Sequence, residues 1–154
     1  MGKVPPVRPL VLVLLAATAF ACESREQEGN ELALLMQRVQ GYTDADEADQ
    51  AAQLAALRKF APSTKRVREA RQACLGAYTL VEQAERDHAE AKRMLESVTS
   101  GGADLAGSRE AIQRRIERSN AAIDEAKPRI NRCTRLLSDL QRDHRQGSGT
   151  EHRQ

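Results

Sequence analysis

The chain of 154 residues is rich in charged side chains (30%) and poor in aromatic ones (3%), and it contains no Trp. This composition favours helices and coiled coils over sheets, and it lacks the bulky apolar residues that line most enzyme pockets. Of the 24 basic residues, Lys3 and Arg8 precede residue 22, whereas all 22 acidic residues follow it. Residues 22–154 are therefore electrically balanced, which argues against nucleic acid as a partner.

The N-terminal segment has the parts of a secretory signal peptide, which we predict at residues 1–21. Lys3 and Arg8 give it a basic start, and residues 10–21 form an apolar run that ends in small residues. The apolar run is shorter than the ~20 residues that a membrane-spanning helix needs. We therefore expect an exported protein rather than one held by a transmembrane helix.

The end of this segment, Ala19-Phe20-Ala21-Cys22, resembles the lipobox of bacterial lipoproteins. The resemblance covers only the signal peptide and the cysteine. It implies cleavage before Cys22, acylation of the Cys22 thiol and a lipid anchor in the cell envelope. Glu23 follows the cysteine where an Asp would imply inner-membrane retention, so the resemblance implies the outer membrane, facing the periplasm. Ordinary signal peptidase would cut the same bond, which leaves a secreted protein as the alternative.

The remaining chain is predicted to be one helical domain between two polar ends. Residues 22–30 are predicted to be a lipidated tether, and residues 147–154 a disordered tail. Between them, residues 31–146 carry the apolar periodicity of helices and are long enough for a single domain.

The first part of this domain is predicted to hold two helices on either side of Gly41. Residues 31–40 place their apolar side chains on one face, which predicts the first helix. The second helix is predicted to begin at a cap formed by Thr43 or Asp44 and to end near Phe60. A single kinked helix is the alternative.

Two longer segments, residues 64–98 and 108–145, carry apolar residues at alternating spacings of three and four. This spacing is the a/d seam of a heptad repeat. Ser63 and Ser108 are predicted to cap the two helices, and the glycine-containing residues 99–107 are predicted to form the turn between them. The predicted fold is therefore all-α, a small helical bundle built on a long antiparallel coiled-coil hairpin.

Folding the chain back at that turn brings both seams into one antiparallel register. The opposed pairs are Val67 with Leu140, Ala70 with Leu137, Cys74 with Cys133, Ala77 with Ile130, Val81 with Ala126, Ala84 with Ile123, His88 with Ser119, Ala91 with Ile116, and Leu95 with Ile112. The register predicts a Cys74–Cys133 disulfide, which contributes ~4 kcal/mol in the chain-entropy account. Three cysteines in an exported chain leave one unpaired, and this pairing assigns that role to Cys22.

Pro128 lies inside the second hairpin helix. A proline there removes a backbone hydrogen bond and clashes with the preceding turn, at a cost of ~3 kcal/mol. The seam nevertheless keeps its phase from Ile123 to Cys133. We therefore predict a kink on the outer face of the helix rather than a break.

The candidate chemical groups favour structural roles. His88 opposite Ser119 could be a base with its nucleophile, or a pH switch, but a hydrogen-bonded layer that fixes register is the more common use of such a pair. Cys74 and Cys133 lack a Cys-x-x-Cys motif, and His88 lies ~21 Å along the helix from Cys74, too far to share a metal. We predict a structural disulfide and no catalytic site, metal or cofactor.

These features predict a cell-envelope lipoprotein that is not an enzyme and that acts as a helical interaction or structural module. We expect residues 86–118, at the turn end of the hairpin, to face a protein partner. One alternative is a pilot or assembly adaptor that holds a partner helix in an apolar cleft near Leu75, Tyr78 and Leu136. A second alternative is a self-associating structural lipoprotein. Neither nucleic acid nor a small-molecule substrate is expected.

Overall fold

The computed structural model describes the backbone of residues 9–101 and 105–148 and the side chains of residues 24–101 and 107–146. Within these ranges the chain forms four helices. They are α1 (Pro9–Asp44), α2 (Glu47–Lys59), α3 (Lys65–Thr99) and α4 (Leu105–Ser148). The predicted all-α fold is confirmed. The side chains of the predicted signal peptide, Cys22 and the predicted tail lie outside the described ones.

Helices α3 and α4 form the predicted antiparallel hairpin, and the Cys74–Cys133 disulfide joins them. The two Cα atoms lie 4.7 Å apart, and the bridge spans a sequence separation of 59 residues. Both cysteines are buried, as are Val67, Ala70, Ala77, Ala84, Ala91, Ala126 and Leu140 of the predicted seam. The many alanines allow the two helices to approach closely along much of their length.

Pro128 does not interrupt α4, which runs continuously from Leu105 to Ser148. The proline ring is exposed, whereas Ala126 and Cys133 on either side of it are buried. The seam therefore continues past the proline on the opposite face of the helix, and the predicted continuity is confirmed.

The boundary between α1 and α2 differs from the predicted one. Gly41 does not end the first helix, since α1 continues to Asp44. A Cβ atom at Gly41 would lie 3.0 Å from the side-chain oxygen of Gln53, so the glycine allows α2 to approach α1. The cap of α2 is Asp46, whose side chain accepts a hydrogen bond from the backbone N–H of Asp49 at 3.1 Å. Thr43 and Asp44, the predicted caps, belong to α1 instead.

The predicted tether is also helical where its side chains are described. Residues 24–30 belong to α1 and contact the other helices through polar groups. Gln27 donates a hydrogen bond to the Ser63 hydroxyl at 2.7 Å, and Glu28 forms an ion pair with Arg66 at 3.2 Å. The described contacts of these residues are polar, so no apolar periodicity marks the segment as helical. The helical domain therefore begins earlier than residue 31.

Helix α3 begins without the predicted serine cap. Its N-cap is Thr64, which makes no capping hydrogen bond through its own side chain. The Glu31 carboxylate of α1 takes over this role, accepting from the backbone N–H groups of Ser63 at 2.9 Å and Thr64 at 3.0 Å. Both hydroxyls also donate to Glu31, each at 2.6 Å. Burial alone would raise the pKa of Glu31, but these hydrogen bonds lower it to about 2.

The hydrophobic core lies at the cysteine end of the hairpin, where α1 and α2 cover it. Its buried members are Leu32, Leu35, Tyr42, Leu54, Leu57, Val67, Ala70, Cys74, Tyr78, Cys133 and Leu140. The rings of Tyr42 and Tyr78 lie 4.3 Å apart between centroids. No described residue at the turn end of the hairpin belongs to this cluster.

Candidate interaction surface

The part of the hairpin beyond the core, residues 86–118, is called the arm below. Its seam contains the buried residues Asp87 and Ala91, and no described residue of the arm belongs to the core cluster. The arm therefore consists of two helices that pack mainly on each other. A two-helix seam shields its apolar residues from water on fewer sides than a bundle does.

Two large apolar side chains of this seam are exposed to solvent. Leu95 is 53% exposed and Ile116 is 43% exposed, although both stand at predicted a/d positions. Ile116 faces Ala91 in the predicted register, and a methyl group is too small to cover an isoleucine. Leu34 of α1, at 47%, is the other large apolar side chain exposed among the described residues. The arm thus presents uncovered apolar surface along its seam.

Beside this seam runs an open groove of about 650 Å³. Its walls combine apolar side chains with charged ones and are formed by Glu90, Met94, Ala111, Arg114, Arg115, Glu117, Arg118 and Ala121. Arg114 pairs with Glu110 at 2.7 Å within its own helix. The groove is wide and open along its length, a shape that suits an extended partner surface.

Asp87 connects the two helices of the arm at its inner end. Its side chain accepts hydrogen bonds from Arg115 at 2.9 Å and from Arg118 at 3.2 Å. Only 12% of that side chain is exposed. We did not predict this group of three residues from the sequence. The available signal was an acidic residue one turn after Ala84, opposite two arginines that lie three positions apart on the other helix.

The predicted pairing of His88 with Ser119 is replaced by a different arrangement. Ser119 is buried as expected, but its hydroxyl donates to the backbone carbonyl of Ala84 at 2.9 Å. His88 is exposed, and the inward position on α3 belongs to Asp87. From Ala84, a step of three residues followed by a step of four leads to Asp87 and then to Ala91. A step of four followed by a step of three leads to His88 and then to the same Ala91. The ion pairs of the largely buried Asp87 side chain stabilise the first of these two arrangements, in which Asp87 faces inward.

The three residues named for a pilot adaptor's apolar cleft pack within the described core. Tyr78 is buried within the core cluster, and Leu75 and Leu136 are partly buried against it. Residues of α1 and α2 belong to the same cluster, as expected for helices that cover the cysteine end.

In residues 9–101 and 105–148, no helix combines the length and apolar character required to cross a membrane. Among the described side chains, residues 24–101 and 107–146, no group of three or more His, Cys, Asp and Glu is arranged to hold a metal ion.

The sequence matches no protein-family model, and neither a curated protein nor a solved structure matches it significantly. The fold and the arm are therefore the basis on which a function can be argued.

Proposed function

We propose that this protein is a lipid-anchored protein of the cell envelope that acts without catalysis by presenting its arm to a partner protein. The observation that carries the proposal is the exposure of Leu95 and Ile116, two seam residues of the arm. Covering apolar surface of this kind stabilises a complex by about 25 cal/mol per Å² removed from water. The arm also carries the open groove described above, which neither Leu95 nor Ile116 lines.

The anchor follows from the cysteines and the N-terminal segment. Cys74 and Cys133 bond to each other, so Cys22 is the remaining one of the three cysteines and is available for acylation. The segment Ala19-Phe20-Ala21 before it supports an acylated cysteine, and Glu23 after it supports the outer membrane, facing the periplasm. Stable anchoring needs more than one acyl chain, which such a diacylated cysteine supplies.

The rest of the molecule holds the arm in a fixed position. The disulfide joins α3 and α4 inside the core, and Asp87 joins them again where the arm begins. A partner therefore meets a preformed surface, and the arm loses less conformational entropy on binding than a mobile one would.

Site-specific photocrosslinking in cells tests the proposal. A photoreactive amino acid is placed singly at Leu95, Ile116 or Leu34, the last being a control of comparable exposure on α1. We expect one crosslinked protein, identified by mass spectrometry, at both arm positions and not at Leu34. Equal crosslinking at all three positions, or none at the arm, would overturn the proposal.

The anchor has its own test in the intact mass of the protein extracted from membranes. We expect the mass of a chain that begins at an acylated Cys22. A mature chain that carries no acyl group would contradict the anchor while leaving the arm proposal open.

Self-association is the second candidate function, and the same exposed seam favours it. Two arms packed through Leu95 and Ile116 would form a four-helix bundle in which both side chains are buried. Sedimentation equilibrium of the purified protein distinguishes the candidates. A dimer that dissociates in the Leu95→Ser, Ile116→Ser double variant, but not in Leu34→Ser, would favour self-association over a different partner.

A further inference from the structure

A second surface lies outside the arm seam, in a groove of about 200 Å³ between the start of α2 and the middle of α3. Its polar lining includes Tyr42, Glu47, Glu82, Glu85 and Arg86. The groove is thus acidic in a chain whose overall charge is nearly balanced. Three carboxylates and one guanidinium meet there beside a tyrosine.

The carboxylates of this groove are neutralised unequally. Glu82 forms ion pairs with Arg58 at 2.9 Å and with Arg86 at 3.3 Å. Neither Glu47 nor Glu85 has an ion-pair partner among the described residues. Burial, followed by the charges of Glu47 and Glu82, raises the pKa of Glu85. The groove therefore holds two exposed carboxylates that no basic side chain of the described chain pairs with.

The Tyr42 hydroxyl gives an independent indication that a hydrogen-bonding group from outside the described chain belongs at this groove. Only 4% of this residue is exposed, and its buried hydroxyl has no hydrogen-bond partner within the described structure. Burial raises the pKa of Tyr42 to about 12, and the charges of Glu85 and Glu82 contribute to the shift. The hydroxyl therefore lies within electrostatic reach of the acidic wall and stays protonated at neutral pH. Its oxygen can accept a hydrogen bond that nothing in the described chain donates.

We propose that this groove binds a lysine side chain of a protein partner, through the Tyr42 hydroxyl oxygen and the carboxylates of Glu85 and Glu47. An ammonium group has three donors and no acceptor, which matches one phenolic oxygen and two carboxylates on different elements. Arginine fits less well, because its planar fork favours bidentate contact with a single carboxylate. The inference rests on the proposed function, since it needs a partner protein.

The position of the groove suits such a partner. It adjoins a second groove, of about 480 Å³, that shares Glu47 and Glu85 and reaches His88 and Lys92 of the arm. A protein lying along the arm could therefore extend a basic side chain to Tyr42. The lysine would add charge recognition to the apolar contact at Leu95 and Ile116.

The test uses the full chain in detergent, with its two tyrosines labelled with ¹³C for NMR. The probe is Nα-acetyl-lysine N-methylamide, and the uncharged norleucine analogue is the control. We expect the Tyr42 ring signal to shift saturably with the lysine probe and not with the norleucine one. Hydrogen bonds to charged groups are strong enough that Glu85→Gln should weaken binding about tenfold.

Two further variants make the result specific. Tyr42→Phe should also weaken probe binding, and it should not lower the unfolding temperature, because the hydroxyl that it removes has no partner to lose. Glu96→Gln removes an exposed carboxylate from the same helix, outside the groove, and should bind the probe like the unchanged protein. Lack of a saturable shift, the same affinity in Glu85→Gln, or tighter binding of putrescine than of the lysine probe would overturn the inference.

Failure here is distinguishable from failure of the proposed function. Arm crosslinks at Leu95 and Ile116 that form while the lysine probe does not bind would remove only the groove inference. Probe binding without arm crosslinks would remove the proposed function and, with it, the assignment of the lysine to a partner on the arm.

Discussion

Glu31 shows how one side chain of α1 sets the start of α3. Its carboxylate accepts two backbone and two hydroxyl hydrogen bonds at that helix end. From the sequence, Ser63 was the predicted cap because a serine after a proline is a familiar local signal. Its actual role is to donate to Glu31, a residue 32 positions away, and local patterns carry no information about such a contact.

Replacing Glu31 by Gln should lower stability and change its pH dependence. An amide cannot accept all four hydrogen bonds, so the free energy of unfolding should fall by about 1–2 kcal/mol at pH 7, as for loss of a helix cap. Because folding lowers the pKa of Glu31 from 4.5 to about 2, its stabilisation is present above pH 4.5 and is lost as pH falls towards 2. Urea unfolding across this pH range measures both effects.

The control for this prediction is Glu26→Gln, a change of the same kind at an exposed position of α1. It should leave the unfolding curves nearly unchanged. If the two variants lose equal stability, or if Glu31→Gln retains the acid transition of the unchanged protein, the capping role of Glu31 is wrong.

Asp87 is the residue whose replacement should weaken the arm most. Asp87→Asn removes the charge that Arg115 and Arg118 share at a largely buried site, and we expect a loss of about 1–3 kcal/mol in unfolding free energy. Asp124→Asn is the matched control, because its ion pair with Lys127 is exposed, and it should cost less than about 1 kcal/mol. Equal losses in thermal unfolding would contradict the structural role of Asp87.

At the scale of elements, the long helices could be predicted and the shorter connections could not. Heptad spacing identified α3 and α4 and their register, because many seam positions agree with one another and with a disulfide. The predicted seam failed at His88, where two spacings fit equally well, and at Leu95 and Ile116, which are exposed. The start of the domain was missed because residues 24–30 face polar partners, which leaves no apolar period to recognise.

Pro128 provides a test at this scale. Because the helix continues through the proline, Pro128→Ala should restore a backbone hydrogen bond and raise the unfolding free energy by up to about 3 kcal/mol. The exposed position leaves room for the change. Ala121→Pro, also exposed on α4, should do the opposite. A Pro128→Ala variant that is less stable than the unchanged protein would contradict this expectation.

For the whole molecule, the core and the disulfide act together at one end, and the arm extends from the other. The sequence indicated this division, since off-seam apolar residues occur near Cys74 and charged ones near the turn. It did not show that Tyr78, which was named as a lining residue of an alternative partner cleft, is buried in the core. Burial of that kind depends on how four helices pack, which a periodic pattern on each helix does not specify.

Removing the disulfide should destabilise the molecule without changing its fold. Cys74→Ala with Cys133→Ala should lower the unfolding free energy by ~4 kcal/mol, mainly because the unfolded chain gains the entropy of a 59-residue loop. Circular dichroism should still show a helical protein at low temperature. Equal thermal stability of the two forms would argue that the cysteines are not bonded in the purified protein.

The proposed partner surface is tested most directly by hydroxyl-radical footprinting of the protein in its native membranes and after purification. Leu95, Ile116 and Leu34 are all exposed in the isolated structure, so all three should be oxidised in the purified protein. In native membranes we predict that oxidation of Leu95 and Ile116 falls while that of Leu34 does not. Unchanged oxidation of both arm residues in the membranes would contradict the proposal that a partner covers the arm.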